Sequence, residues 1–333
     1  MNTKYLVIYH KEDNDGIISA ALVYYHLTKR MRVEGPSITM MPADYTTLNR
    51  LTDEEIDNLQ NEYENVIMVD ISFNNAKQML KLKKMFGQKF VWCDHHKPII
   101  DESFRLGFDD VNGVRDTSKS AILCVYQYLF DPFNEKYNDK KVPEILRILS
   151  GWDSWSFERE GYTNEFCQCV NKAVTVGLSL DVNFAFEFID WLFIHDSVCF
   201  IRKYGEKTIK ELYDIGKTLI DYDNFNNYQL IYNNGDFGWK LDGDRNACAL
   251  FIQGPSNSLM FKELRNGNNQ NGIVFKRTPT GDWTVSLYNV NDWDDFHCGE
   301  YLKSKYNGGG HKGAAGCTIS ESKFLKILKS KQL

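Results

Sequence analysis

The chain opens on a short apolar run, residues 5–9, that breaks into the polar stretch HKEDNDG at 10–16 and resumes from Ile17 with apolar positions at helical spacing. β-Favouring residues, a polar turn with a glycine, then a period near 3.6 predict strand, loop and helix in that order. Gly16 lets the backbone turn sharply into the helix, predicted over 17–30 with basic residues in its last turn. The pattern recurs. Thr52 and Glu55 form a capping-box signature for a helix to about Tyr63, and residues 65–70 are a second apolar strand ending in Asp70. A helix over 74–86 closes at Gly87, and the apolar residues Phe90, Val91 and Trp92 climb into Asp94, His95 and His96 before Pro98 stops the strand. Three such units with near-continuously apolar strands predict a parallel sheet covered on both faces, the α/β class.

Further along, Thr117 and Ser118 are expected to start a helix ending near Phe130, and a polar loop at 132–142 leads to another helix from Pro143 into SGWDSWSF, 150–157. Residues 183–221 read as largely helical, a connector with no proline and no Gly/Ser-rich tract. From about 225 the pattern changes to strands and turns: YQLIYNN at 228–234, ACALFIQ at 247–253, NGIVFKRT at 271–278 and DWTVSLYNV at 282–290. A helix near 294–306, the glycine-rich run NGGGHKGAAGC at 307–317, a strand and a basic last helix follow. The organisation expected is a parallel-sheet domain over 1–182, a helical connector over 183–224, and a smaller α+β domain over 225–333.

Bulk properties narrow the setting. A chain of 333 residues exceeds a typical single domain. It has no apolar run of about 18 residues, so no membrane span is expected, and its first apolar stretch is too short for a secretory signal. The eight cysteines are scattered without a Cys-x-x-Cys pair, which suits reduced buried thiols in a cytoplasmic protein. The net charge of -6 is uneven, because residues 225–333 carry 13 Lys and Arg against 10 Asp and Glu while the remainder carries 26 against 35. An acidic front suits cations and a mildly basic back suits anions, but so small a positive balance does not suggest long duplex DNA as partner.

The chemistry lies at the predicted strand ends. They deliver His10, Asp13 and Asp15, then Asp70, then Asp94, His95 and His96, and the later helix end adds Asp153. Neighbouring parallel strands run about 4.8 Å apart, so these tips converge. A carboxylate–imidazole set of this size exceeds what one ion needs and fits two divalent metals sharing a bridging carboxylate. Mixed nitrogen and oxygen donors suit Mn²⁺, Zn²⁺ or Fe²⁺, whereas all-oxygen ligation points to Mg²⁺. Each motif also has an ordinary reading: Asp15 and Asp70 as helix caps, Asp153 as a hydrogen-bonded carboxylate between two tryptophans, the glycine run as a tight turn. Trp92 and Trp155 suit core packing better than base stacking. Ser118 suits phosphate contact and helix capping equally.

HKEDNDG, the Asp70 strand end, Asp94-His95-His96 and Asp153 resemble, in order, the four motifs of the DHH phosphoesterase superfamily. NGGGHKGAAG resembles the signature of the C-terminal domain associated with it in the nanoRNase-like and RecJ-like branches. The motifs span residues 10–316. The resemblance implies that His10 and Asp13 bind one metal, that Asp15, His95 and Asp153 bind the other, and that Asp70 bridges. It implies that Asp94 orients the ligand set, that His96 faces the substrate phosphate or leaving group, and that phosphorus is attacked in line by water activated between two ions. Two divalent ions are the cofactors implied, Mn²⁺ foremost, with Mg²⁺, Fe²⁺ or Co²⁺ as alternatives. Gly308, Gly309, Gly310 and His311 would hold a substrate phosphate or terminal nucleotide across an interdomain cleft.

Related nanoRNases often carry an arginine where this chain has Tyr288 and Asn289, so a phosphate contact is either missing or supplied from elsewhere, with Lys312, Arg277 and Arg115 as candidates. The expectation is a phosphohydrolase acting on phosphodiester or phosphomonoester bonds of a small nucleotide or short single-stranded oligonucleotide. Cyclic dinucleotides, adenosine bisphosphate and polyphosphate stand as alternative substrates. A non-catalytic nucleotide sensor is disfavoured, because every expected ligand position is Asp or His. Oligomeric state is open, a homodimer included.

Overall fold

Four parallel strands carry the N-terminal half of the chain: β1 (Tyr5–His10), β2 (Ile38–Ala43), β3 (Asn65–Val69) and β4 (Phe90–Cys93), in spatial order β2-β1-β3-β4, with β1, β3 and β4 buried on both faces. The computed structural model describes residues 3–107, 110–130, 142–195, 198–241, 245–254, 256, 260–261, 271–290, 296–310 and 312–333. Contacts divide the chain into two units, Met1–Leu219 and Ile220–Leu333.

Helices α1 (Asn14–Tyr25), α2 (Tyr45–Leu48), α3 (Asp53–Glu62), α4 (Ala76–Phe86) and α5 (Lys97–Arg105) each follow a strand or a turn. The helices α6 (Ala121–Phe130), α7 (Glu144–Asp153), α8 (Asn164–Leu178) and α9 (Val182–Leu192) then complete the first layer. The period of two in the strands decides which layer each side chain joins. Val7, Tyr9, Ile67, Val69 and Cys93 pack with α1 and α6 to α9, whereas Leu6, Ile8, Val66, Met68, Phe90 and Trp92 pack with α3 to α5. Both faces are therefore sealed, as the apolar strands required, and every polar strand end must emerge at the carboxyl edge. Chain order reverses at β1 and β3: β2 lies on one side of β1, β3 and β4 on the other. The crevice at such a switch point is where an open parallel sheet presents its ligands.

Several expected boundaries move. Helix α1 begins at Asn14, capped by Asp13, whose Oδ1 accepts the Gly16 amide at 3.0 Å. Gly16 serves close packing rather than a turn, since a Cβ there would lie 2.1 Å from the His10 carbonyl oxygen. The last turn of the expected helix is a π-helical segment, His26–Arg30. Helix α3 has the capping box at Thr52 and Glu55. Helix α6 starts at Ala121 rather than at Thr117 and Ser118. The Ser118 amide and hydroxyl donate to Asp116 Oδ1 in a separate turn, and the first helical amides find a partner distant in sequence. The stretch expected to be helical between α9 and the second unit is interrupted by a hairpin, β5 (Cys199–Ile201) and β6 (Gly205–Lys207).

Helix α10 (Ile209–Asn234) continues through YQLIYNN, the stretch read above as a strand. Its β-favouring aromatics sit on a helix that runs on until Gly235, whose amide donates to the Ile231 carbonyl. Beyond it, β7 (Asp236–Leu241), β8 (Arg245–Phe251), β9 (Asn271–Arg277), β10 (Trp283–Asn289), β11 (Gly309–Gly310) and β12 (Ala314–Ile319) form one sheet, in order β11-β12-β10-β9-β8-β7. Helices α11 (Cys298–Tyr306) and α12 (Glu321–Ser330) pack on it through Phe324, Tyr301 and Leu302. All eight cysteines are buried free thiols. Among the described residues no helix is long and apolar enough to cross a membrane.

Candidate metal centre and active site

The carboxyl edge gathers the eight polar residues expected there. His10 ends β1, Asp13 caps α1, and Asp15 lies in the first turn of that helix. Asp70 follows β3, Asp94 follows β4 with His95 and His96 behind it, and Asp153 ends α7. Three donor groups lie within 4.8 Å among themselves: His10, Asp13 and Asp70; Asp15, His95 and Asp153; and Asp70, His95 and His96.

Asp70 joins the first two. Its Oδ2 is 3.4 Å from His10 Nδ1 and its Oδ1 is 3.3 Å from His95 Nε2, so the two oxygens of one carboxylate face different clusters. His10 Nδ1 also lies 2.8 Å from Asp13 Oδ2, and His95 Nε2 lies 3.6 Å from Asp15 Oδ2 and 3.4 Å from Asp153 Oδ2. The backbone at Asp70 is left-handed, with φ 57°, and its amide is tied to the Cys93 carbonyl at 3.0 Å. A non-glycine residue held there marks a position that its surroundings over-determine.

Asp15 shows how fold and site depend on one another. Its two oxygens accept the amides of Ala121 and Ile122 at 2.7 and 2.8 Å, so a buried carboxylate from α1 caps α6 across 106 residues of sequence. That bond, rather than the local Thr117 and Ser118, sets where α6 begins. Asp94, fully buried, accepts the amides of His95 at 2.7 Å and His96 at 3.2 Å and lies 2.7 Å from His96 Nδ1, all through Oδ1. Its Oδ2 accepts Trp92 Nε1 at 3.0 Å. Asp94 thus fixes both histidines without joining any of the three clusters.

Electrostatics and unpartnered atoms fit cations. His10 Nδ1, Asp70 Oδ1 and Asp153 Oδ2 are buried without a hydrogen-bond partner. Burial lowers His10 and His95, but the carboxylates of Asp13 and Asp70 on the one and of Asp70, Asp15 and Asp153 on the other outweigh it, raising both to about 10. Burial and the Asp70 carboxylate raise Asp153 to about 7, and burial with Asp153 and Asp70 pushes Asp15 well above the usual carboxylate range. In the metal-free protein, protons and imidazolium balance these buried carboxylates. Imidazole and carboxylate donors in two sets with a shared Asp70 suit a pair of divalent ions.

The shifts set a pH dependence for the metal-free protein. His10 and His95, at about 10 when folded against 6.5 when unperturbed, contribute stability that is complete below pH 6.5 and lost as pH rises through 10. Asp153, at about 7 against 3.8, also binds its proton more tightly when folded, so its contribution falls between those values as pH rises. In EDTA the melting temperature is expected to fall between pH 5 and pH 9. Mn²⁺ displaces these protons and is expected to stabilise more at pH 8 than at pH 6. A metal-free Tm that climbs with pH over that range would refute the protonated cluster.

One residue at the centre had no motif to announce it. The Tyr45 ring lies 5.8 Å from the imidazoles of both His10 and His96. Its signal was present in Asp44 and Thr47, which form a capping box for α2 directly behind β2. Lys11 pairs with Asp44 at 2.6 Å and ties this turn to the one behind β1.

Other expected residues are placed elsewhere. The Arg115 guanidinium donates to the carbonyls of Trp92, Asn112 and Val111 and lies over the Trp92 ring. Ser118 is exposed and bonded to Asp116. In the second unit Gly308 and Gly310 are required by packing, since a Cβ on either would strike β12, and Gly310 has φ 143°. A Cβ on Gly309 would meet nothing within 4 Å, so close packing does not explain that glycine. Lys312 is exposed beside it, and His311 lies outside the described residues. Tyr288 and Asn289 serve the fold: the Tyr288 hydroxyl donates to Ser256 Oγ and the Asn289 side chain donates to the Phe296 carbonyl.

The family model described as the DHH family, N-terminal domain, matches residues 4–150. This segment is similar to that family's N-terminal domain. Across the chain, an uncharacterised protein, R106, of Acanthamoeba polyphaga mimivirus is 22% identical over 327 residues, 95% of this chain and 67% of that protein. Among solved structures, RecJ of Thermus thermophilus in complex with Mn²⁺ superposes with a TM-score of 0.52 at 15% identity, over 99% of this chain and 51% of RecJ. A weaker likeness, TM-score 0.47 at 15% identity over 98% of this chain and 97% of the other, is to a pGpG-specific phosphodiesterase of Vibrio cholerae. The RecJ superposition covers the parallel N-terminal sheet and the mixed C-terminal sheet, as the α/β reading anticipated.

Proposed function

We propose that this protein is a metal-dependent phosphoesterase that hydrolyses phosphodiester or phosphomonoester bonds of small nucleotides or short single-stranded oligonucleotides. The observation that carries the reading is Asp70, whose two oxygens face two separate donor sets in a segment similar to the DHH family's N-terminal domain. His10, Asp13 and Asp70 would hold one divalent ion, and Asp15, His95, Asp153 and Asp70 the other. When bound, such a pair supplies Lewis acidity to the phosphoryl oxygens and lowers the pKa of an attacking water. The chain's own residues arrange the rest. Asp94 anchors His96 through Nδ1. The remaining ring nitrogen, Nε2, is then the atom able to give a proton to the leaving oxygen as the phosphorus–oxygen bond breaks. Tyr45, against the rings of His10 and His96, limits their rotation. In the second unit Gly309 and Lys312 are the proposed anion contacts.

With Mn²⁺ the protein is expected to release mononucleotide from a 5′-labelled dinucleotide, and EDTA is expected to abolish the release. Chromatography of the products decides. If the metal-loaded protein cleaves tripolyphosphate but no nucleotide ester, the phosphoanhydride alternative replaces this reading. If it cleaves neither, the hydrolytic assignment falls.

A further inference from the structure

Trp155 stands two residues beyond Asp153, and its circumstances are unlike those of the other tryptophan named above. Trp92 is fully buried, with its Nε1 committed to Asp94, and is core. Trp155 is 69% exposed. It stacks on Trp152 with ring centroids 5.8 Å apart and planes 27° apart, and the Phe157 ring lies 6.3 Å away on the same segment. A side chain stacked on one side and largely in water offers its other face to solvent. So large an apolar group left exposed gains the fold little, because the free energy follows the area removed from water.

The backbone adds a second, independent observation. Trp155 has φ 53°, a conformation that bulky residues rarely adopt. Its neighbours impose it. The Ser154 amide and hydroxyl both donate to the Ser150 carbonyl at 2.9 and 2.7 Å, the Ser156 amide donates to the Gly151 carbonyl at 3.0 Å, and the two serine hydroxyls are 2.8 Å apart. Glycine would adopt this turn without strain. A tryptophan held there at a cost, exposed, at the end of the helix that delivers Asp153, calls for a ligand.

We propose that Trp155, backed by Trp152, is the platform on which a nucleobase of the substrate stacks while its phosphate lies at the metal centre. The proposal rests on the phosphoesterase reading for its phosphate and adds the residues that hold the base of that nucleotide. Base stacking on an exposed aromatic is sequence-tolerant and strengthens binding by roughly 5- to 150-fold per base. Trp155 therefore governs affinity and leaves the chemical step to the metal ligands.

The test compares ligands that differ only in the base. Wild-type protein with Ca²⁺ in place of Mn²⁺, to suppress turnover, is titrated with AMP and with ribose 5-phosphate by calorimetry. AMP is expected to bind at least about fivefold more tightly. Trp155→Gly, which removes the ring and suits the backbone, is expected to abolish that preference, and Trp155→Phe is expected to keep most of it. With Mn²⁺, Trp155→Gly is expected to raise KM for the dinucleotide pApA by a similar factor with kcat within about twofold, and to leave cleavage of the same dinucleotide without bases unchanged. Retention of the AMP preference in Trp155→Gly overturns the platform, and so does an equal loss for both ligands. If the wild type cleaves neither dinucleotide, the phosphoesterase reading fails, and the AMP and ribose 5-phosphate titrations still judge the platform by themselves.

Discussion

Asp70→Asn is expected to slow dinucleotide cleavage by about three orders of magnitude, roughly 4 kcal/mol of barrier, and to leave the protein folded. The replacement is isosteric, and asparagine tolerates the left-handed backbone that this position adopts. The amide bond to the Cys93 carbonyl is a main-chain contact and survives. Oδ1 has no hydrogen-bond partner to lose. What changes is that one of the two oxygens becomes an NH₂ group, which cannot accept a cation, so one of the two donor sets is opened. Removing a single electrostatic contributor from a preorganised site commonly costs 10²- to 10³-fold, and a bridging ligand serves both sites at once. Metal content by elemental analysis, Tm and turnover are measured together. Turnover within tenfold of wild type at full metal content would remove Asp70 from the bridging role.

The donor set was legible in the sequence because a parallel sheet with both faces sealed leaves one outlet for polar residues, the carboxyl ends of its strands. His10, Asp70 and Asp94 were therefore placed by strand periodicity alone, and the helix caps at Thr52 and Gly87 fixed the spacing between them. Strand β2 was not seen. It contains Pro42 and exposed or half-buried positions, a pattern that does not read as a buried strand. Proline is tolerated there because β2 is an edge strand of this sheet. Missing β2 also hid Tyr45 behind it. The start of α6 was misplaced for a different reason: its capping group is Asp15, distant in sequence, and local capping signals say nothing about such a partner. Arg115 looked like a free cation near a phosphate site, but a guanidinium suits convergent main-chain carbonyls equally well, and those lay close by once β4 and its loop had folded. Trp155 could not be told from core by composition. Only its exposure and its backbone angle separate it from Trp92.

Asp94→Ala is expected to be the most destabilising single change at the centre, by about 3–5 kcal/mol, the scale for removing one partner of a buried, hydrogen-bonded charge. Four groups rely on this carboxylate: Trp92 Nε1, the amides of His95 and His96, and the His96 ring. Truncation removes the acceptor that Asp94 Oδ2 offers a fully buried indole N–H, and a lost buried hydrogen bond of this kind costs about 1–3 kcal/mol. Burial raises the Asp94 carboxyl, but His96 and His95 outweigh it and hold it below the usual range, so the anionic form is the one that the fold stabilises. Asp94→Asn keeps an acceptor for one side and is expected to lose clearly less stability than alanine. It still weakens the anchor on His96, whose raised pKa comes chiefly from Asp94 once burial is overcome. Its signature should therefore be kinetic: a folded protein, metal content near normal, and a shifted basic limb in the pH–rate profile. Urea melts of both variants, compared at one pH with EDTA present, separate the structural share from the metal-dependent one. If alanine and asparagine prove equally mild, within about 1 kcal/mol of wild type, Asp94 does not hold the two histidines.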